Sequence, residues 1–180
     1  MYRAAPRSWC VPAIVNGAKP TAGVLRPART EEAQALSELA LRSKAHWGYS
    51  QAFIDACRAE LFYCETDIAS PHMQFVVLEV AGTVVGFYAL RRLTETDLEL
   101  DAMFVTPASI GMGFGRRLIE DAQRSAVRLG AIRLSIQGDP NAERFYLAAG
   151  ARRTGAAESE SIPGRMLPTF VIDLVQSAGG

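Results

Sequence analysis

No stretch of this chain is apolar for long enough to cross a bilayer, and neither sign of charge prevails. A spanning helix needs about 20 consecutive apolar residues, so no membrane partner is expected. The 19 basic side chains are balanced by 19 acidic ones, which removes the electrostatic case for nucleic acid or an anionic lipid surface as the main partner. Cysteine is scarce: Cys10, Cys57 and Cys64 are the whole set. Their odd number argues against a disulfide framework, and their spacing fits no metal-ligand pattern, so no metal and a reducing cytoplasm are expected. Internal repeats and low-complexity tracts are missing too. The first 19 residues scatter Arg, Pro and Asn where a secretory signal would need a continuous apolar core.

What is present fits one domain. A chain of 180 residues can bury roughly 70% of its unfolded surface in a single core and is short for two. Residues 1–22 carry Pro6, Pro12, Gly17 and Pro20 without periodicity and read as a flexible extension. The domain is expected over 23–176, with a frayed end at 177–180.

The pattern then alternates between strand and helix. Val24–Arg26 reads as a short strand stopped by Pro27, and Thr30 as the N-cap of a helix whose apolar face is Ala33, Leu36, Leu39 and Ala40. A second helix is expected from about Ser50 to Phe62. Phe75–Val80 and Thr83–Leu90 flank Ala81-Gly82 as a hairpin. Strand Asp97–Val105 runs into a helix bearing Leu118, Ile119, Ala122, Ala126 and Leu129 on one face and stopped at Gly130. A strand at 132–137, a helix from about Asn141 to Ala149 and strands at 151–154 and 169–174 complete an α/β chain.

The turn between that long strand and its helix contains Gly111-Met-Gly-Phe-Gly115, followed by Arg116 and Arg117. Glycine permits successive N–H groups to point to one concave side, and a helix N-terminus adds unpaired amides and a positive dipole end. Such a turn is a phosphate cradle or simply a tight turn. It is neither a P-loop, which needs Lys-Ser or Lys-Thr closing its glycine frame, nor a dinucleotide fingerprint, which needs a third glycine three residues after the second and an acid on the next strand.

With Val105-Thr-Pro107 before it, the stretch resembles the acyl-coenzyme A loop of the GNAT N-acetyltransferase superfamily: strand, Val-x-Pro, then Arg or Gln-x-x-Gly-x-Gly or Ala opening a helix. Ile110 stands where that pattern has Arg or Gln, so a side-chain contact to the pyrophosphate is missing. A second motif, Asn141 with Phe145, Tyr146 and Gly150, is similar to the superfamily's Asn-x-x-x-x-Phe-Tyr-x-x-x-Gly-Phe, with Ala151 in place of the last aromatic. From the residues alone this is equally a short amphipathic helix capped by Asn141.

The resemblance implies a twisted mixed sheet flanked by helices, the GNAT acyl-CoA N-acyltransferase fold, in which strand Asp97–Val105 diverges from the strand near Ile132. It implies acetyl-coenzyme A as cosubstrate, held by the backbone of Met103, Phe104 and Val105, by Gly111, Met112, Gly113, Phe114, Gly115 and Arg116, and by Asn141. It places Tyr146 beside the thioester sulfur and a proton-accepting carboxylate on the strand. Asp97, Glu99 and Asp101 share a face by alternation, Glu99 being preferred as base and Asp101 the alternate. His46, Trp47 and Tyr49, in the loop between the first two helices, are candidates for the acceptor wall, and Arg165 for holding an acceptor carboxylate. The acceptor is then a small-molecule or peptide amine. Another acyl group, an oxygen acceptor, a sensor without turnover and a homodimer are left open.

Overall fold

A computed structural model describes residues 23–174, so the expectations for 1–22 and 177–180 lie outside the described residues. Seven strands form one sheet in the order β1-β2-β3-β4-β5-β7-β6. They are β1 (Val24–Pro27), β2 (Met73–Val80), β3 (Thr83–Arg92), β4 (Asp97–Val105), β5 (Arg133–Gln137), β6 (Arg152–Glu158) and β7 (Met166–Asp173). All pairs are antiparallel except β4 with β5. The helices are α1 (Ala33–Ala45), α2 (Gln51–Ala56), α3 (Glu65–Ile68), α4 (Phe114–Arg128) and α5 (Glu143–Ala148). No described helix is long and apolar enough to cross a membrane.

Strand β2 is buried on both faces. Phe75 and Val77 pack with Leu36, Leu39 and Ala40 of α1, whereas Val76 and Leu78 pack with Leu118, Ile119 and Ala122 of α4. The sheet therefore sits between two apolar layers, and its alternating residues serve both.

Several expected boundaries shift: the last two strands run over 152–158 and 166–173 where 151–154 and 169–174 were expected, and three other changes bear on capping and packing. Thr30 lies inside a 3-10 turn, Thr30–Glu32, and the Glu32 carboxylate accepts from the Arg29 N–H at 2.8 Å, doing the capping work. The second helix stops at Ala56; residues 57–61 continue as turns that still bury Cys57 and Leu61, so helical spacing outlasts the helix. Asp139, not Asn141, caps the turn before α5, its carboxylate accepting from the Asn141 N–H at 3.0 Å.

Two irregularities build the site. The β4–β5 pairing ends at Leu100 and Ile136, so beyond that point the β5-facing edge of β4 is free of strand partners. On its other edge β4 carries a bulge against β3: Ala89 faces Ala102 and Leu90 faces Leu100, leaving Asp101 as the extra residue.

Candidate active site

A cleft of about 510 Å3 lies where β4 and β5 separate. One wall is β4 itself, through Asp101, Met103, Phe104 and Val105. The opposite wall comes from the end of β5 and from α5, through Gly138, Asn141, Phe145 and Tyr146. Gly111, Gly113, Gly115 and Arg116 close one end, and Trp47, Glu60, Leu61 and Tyr63 lie on the lining as well.

The glycine loop has the features that an anion site needs. Gly111 and Gly113 have φ of 83° and 84°, left-handed values that a side chain resists. Gly113 is the N-cap of the 15-residue α4. Among the described residues, the N–H groups of Gly111, Gly113, Phe114, Gly115 and Arg116 have no protein acceptor, while Met112 and Arg117 donate to Ser109 and Gly113 carbonyls. Unpaired amides at a helix N-terminus attract negative charge. Arg116 is turned along its helix to Glu120 at 2.7 Å and is mostly exposed. Phe114 is buried in the core and Met112 points to solvent, so these two can offer the cleft backbone only. Ile110 lines the cleft, half exposed.

The carboxylates of β4 divide. Asp97 pairs with Arg133 at 2.6 Å, away from the cleft. Glu99 is held by Arg91 at 2.6 Å and is not on the cleft lining. Asp101, pushed out by the bulge, is on it, and meets Arg91 Nε at 3.1 Å. Burial raises the Asp101 carboxyl above the usual carboxylate range; Arg91 pulls it back, and Glu99, Glu160 and Glu60 push it further up.

Tyr146 is 7% exposed, with its ring edge-on to Phe145 at 5.3 Å and tilted on Phe170 at 5.6 Å. Its hydroxyl has no protein hydrogen-bond partner among the described residues. Burial, with a smaller contribution from the Asp139 charge, pushes the phenol up to about 12, so it stays protonated at neutral pH.

The acceptor-wall candidates do not act together. Trp47 lines the cleft and is exposed; His46 sits edge-on to Trp47 outside the lining. Tyr49 and Arg165 are absorbed in a knot. The Tyr49 hydroxyl donates to Asp139 at 2.9 Å and accepts from Asn141 Nδ2 at 3.0 Å and Arg165 Nη2 at 2.8 Å. Arg165 also pairs with Asp139 at 3.3 Å and stacks over Phe53. A guanidinium so engaged is not free for an acceptor carboxylate. The knot instead ties the α1–α2 loop and the β6–β7 loop to the turn carrying Asn141. Glu60, Leu61, Tyr63 and Gly138 carry no motif, and only the fold brings them to the cleft.

The family model for the acetyltransferase (GNAT) domain matches residues 28–161. The chain belongs to that family. Among curated relatives, the N-alpha-acetyltransferase RimI of Mycobacterium tuberculosis (strain ATCC 25618 / H37Rv) is 34% identical over 93 residues, which are 49% of this chain and 58% of that protein. The match thus spans little more than half the length of that relative. Among solved structures, a GCN5-related N-acetyltransferase from Rhodopseudomonas palustris superposes with a TM-score of 0.70 at 21% identity, over 88% of this chain and 100% of that one. The PaiA N-acetyltransferase from Thermoplasma acidophilum, solved in complex with coenzyme A, gives 0.68 at 16% identity, over 84% and 98%. The expected mixed sheet flanked by helices is the fold they share.

Proposed function

We propose that this protein transfers the acetyl group of acetyl-coenzyme A to a primary amine. The observation that carries this is the arrangement of one cleft: unpaired amides of a helix-opening loop at its end, the unpaired edge of β4 along one wall, and Asp101 and Tyr146 among its lining. The coenzyme A complex of the PaiA neighbour supports the choice of cosubstrate. The pyrophosphate is assigned to the unpaired amides of Gly111, Gly113, Phe114, Gly115 and Arg116, and the pantetheine amides to the edge of Met103–Val105. Asn141 Nδ2 is held by Tyr49 and Asp139, so its Oδ1 is the atom assigned to accept from an N–H of the arm.

Acetyl-coenzyme A supplies a thioester; the chain supplies orientation, proton acceptance and stabilisation of the departing sulfur. Asp101 is preferred to Glu99 as the base because it is on the cleft lining and burial raises its proton affinity. The ammonium first gives one proton to bulk water; the neutral amine then attacks the carbonyl carbon and forms the C–N bond as the carbonyl π pair moves to oxygen. Its surplus proton passes to Asp101 directly or through water, and the carbonyl re-forms as the C–S bond breaks, the pair leaving on sulfur as a thiolate that accepts a hydrogen bond from the Tyr146 hydroxyl. Glu60 and Asp101 on the lining, with Glu160 acting on Asp101 through space, favour an acceptor that arrives as a cation. The test is a screen for acetyl-coenzyme A-dependent release of free coenzyme A with polyamines, amino acids, aminoglycosides and peptides bearing free amino termini. Turnover should be confined to cationic amines; release only with hydroxyl acceptors would reverse the reading.

Ile110 supplies a separate check on the cosubstrate. Ile110→Arg is expected to tighten coenzyme A binding by up to about tenfold in calorimetry. A charge-assisted bond to phosphate contributes about 1.5–3 kcal/mol, and ordering a long side chain costs up to about 2 kcal/mol. A substantially weaker complex would mean that the pyrophosphate lies elsewhere.

A further inference from the structure

Gly138, between β5 and the turn that carries Asp139, does not owe its identity to backbone conformation, since its φ is not among the positive values. It owes it to Tyr146. A Cβ at this position would stand 2.7 Å from Cε2 and 3.1 Å from Cδ2 of the Tyr146 ring, and 3.3 Å from Cε2 of Phe170. Carbon atoms prefer about 3.5–4.0 Å, so the aromatic ring rests directly on bare backbone. That backbone cannot simply withdraw: the Gly138 N–H donates to the Pro168 carbonyl at 3.0 Å, and the preceding Gln137 is paired with Thr169 on β7. Phe145 and Phe170 also lie against the ring, so the direction left open to it is the cleft it lines. Its hydroxyl, bonded to no protein group among the described residues, has its position set by this packing.

We infer that Gly138 is a positioning residue for Tyr146, its missing side chain fixing where the phenol hydroxyl stands in the cleft. The catalytic part of this inference rests on the proposed role of Tyr146; the positional part does not. A β-carbon would tilt the ring at Cε2, the atom beside the hydroxyl-bearing carbon, and carry the hydroxyl further still. Displacements near 1 Å at a reacting group cost about 10²-fold in rate.

The experiment compares Gly138→Ala in the native and Tyr146→Phe backgrounds, with three readouts. These are coenzyme A affinity by calorimetry, kcat and KM with an amine from the screen, and 19F NMR of 3-fluorotyrosine-labelled protein, the Tyr146 signal being the one lost in Tyr146→Phe. Gly138→Ala should shift that signal, lower kcat by about 10–100-fold and leave coenzyme A affinity within about twofold. In the Tyr146→Phe background it should change kcat by less than about threefold, since the group it displaces is gone. Equal losses in both backgrounds, or an unshifted signal, would overturn the inference. Should Gly138→Ala alone not fold, Gly138→Ala with Phe170→Leu gives the ring room to move. The same signal must then shift, and an unshifted one overturns the inference equally. If the native protein acetylates no amine, the proposed function fails while the NMR arm still decides whether Gly138 sets the ring.

Discussion

Gly113→Val is expected to weaken coenzyme A binding by at least about 10²-fold while leaving the protein folded. At φ 84° Gly113 occupies a backbone region in which a residue with a β-carbon costs about 1–2 kcal/mol, and a branched one more. Among the described residues, nothing beyond its chain neighbours and its own helix backbone lies within 4 Å of the β-carbon that would be added, so the fold itself has room. The damage is to the loop, which escapes strain by rotating peptides on either side and turns unpaired N–H groups away from the cleft. Losing two charge-assisted bonds of about 1.5–3 kcal/mol each exceeds the 2.7 kcal/mol that corresponds to 10²-fold. Gly82→Ala is the control. Its φ of 78° is equally left-handed and its β-carbon equally unobstructed, but it lies in the β2–β3 turn, outside the cleft. It should lose some stability and no affinity. Unchanged calorimetric affinity in a folded Gly113→Val protein would remove the phosphate from this loop.

The long-range layout is legible in the sequence where a single period governs a whole element. The alternation of Asp97, Glu99 and Asp101 with Leu98 and Leu100 marks β4, and the observed strand has the expected ends. The face of α4 reads well over Leu118, Ile119, Ala122 and Ala126, which meet the sheet at helical spacing, but Leu129, expected on the same face, lies past the helix end at Arg128 and is exposed. Alternation fails inside β4, where the bulge at Asp101 reverses the faces. Leu98 and Leu100 join the α4 layer, but Ala102 joins the α1 layer. Nothing local announces such an insertion, because it is fixed by register against β3. The order of preference between Glu99 and Asp101 was therefore beyond a pattern argument: both lie on one face by count, and only the bulge brings Asp101 to the cleft.

The cleft's other wall teaches a related lesson. Asn141 stands out in sequence as a cap, yet Asp139 does the capping and Asn141 joins Tyr49 and Arg165 in the knot. Tyr49 and Arg165 are 116 residues apart in the chain, a separation at which composition says nothing about contact. The role of Gly138 is hidden for a different reason. A glycine before Asp-Pro reads as part of a turn, and the aromatic ring that excludes a β-carbon arrives from two turns of chain later.

Tyr146→Phe is expected to lower kcat by about 10²–10³-fold with little change in coenzyme A affinity or in stability. The stability part follows from the hydroxyl's lack of a protein partner among the described residues, since its removal strands no buried acceptor there. The rate part follows from its raised pKa. A phenol near 12 cannot fully protonate a thiolate of pKa about 8.5 without an uphill cost of about 5 kcal/mol. In the proposed reaction Tyr146 is therefore assigned a hydrogen bond to the charge that develops on sulfur, and the loss should match that of a single donor to a developing anion, about 10²–10³-fold. Such a donor leaves no ionisation of its own in the neutral range, so Tyr146→Phe should lower the pH–rate profile without moving it. Asp101→Asn should behave differently. A base acts when deprotonated, so activity rises with pH through the pKa of Asp101. Because burial raises that pKa, the acid limb lies higher than an ordinary carboxylate would put it. The substitution should remove that limb and cost about 10²–10⁴-fold in turnover, whereas Glu99→Gln should leave the limb present. A limb retained in Asp101→Asn and lost in Glu99→Gln would return the proton to Glu99. Near-native kcat in Tyr146→Phe would leave the departing sulfur without its assigned partner.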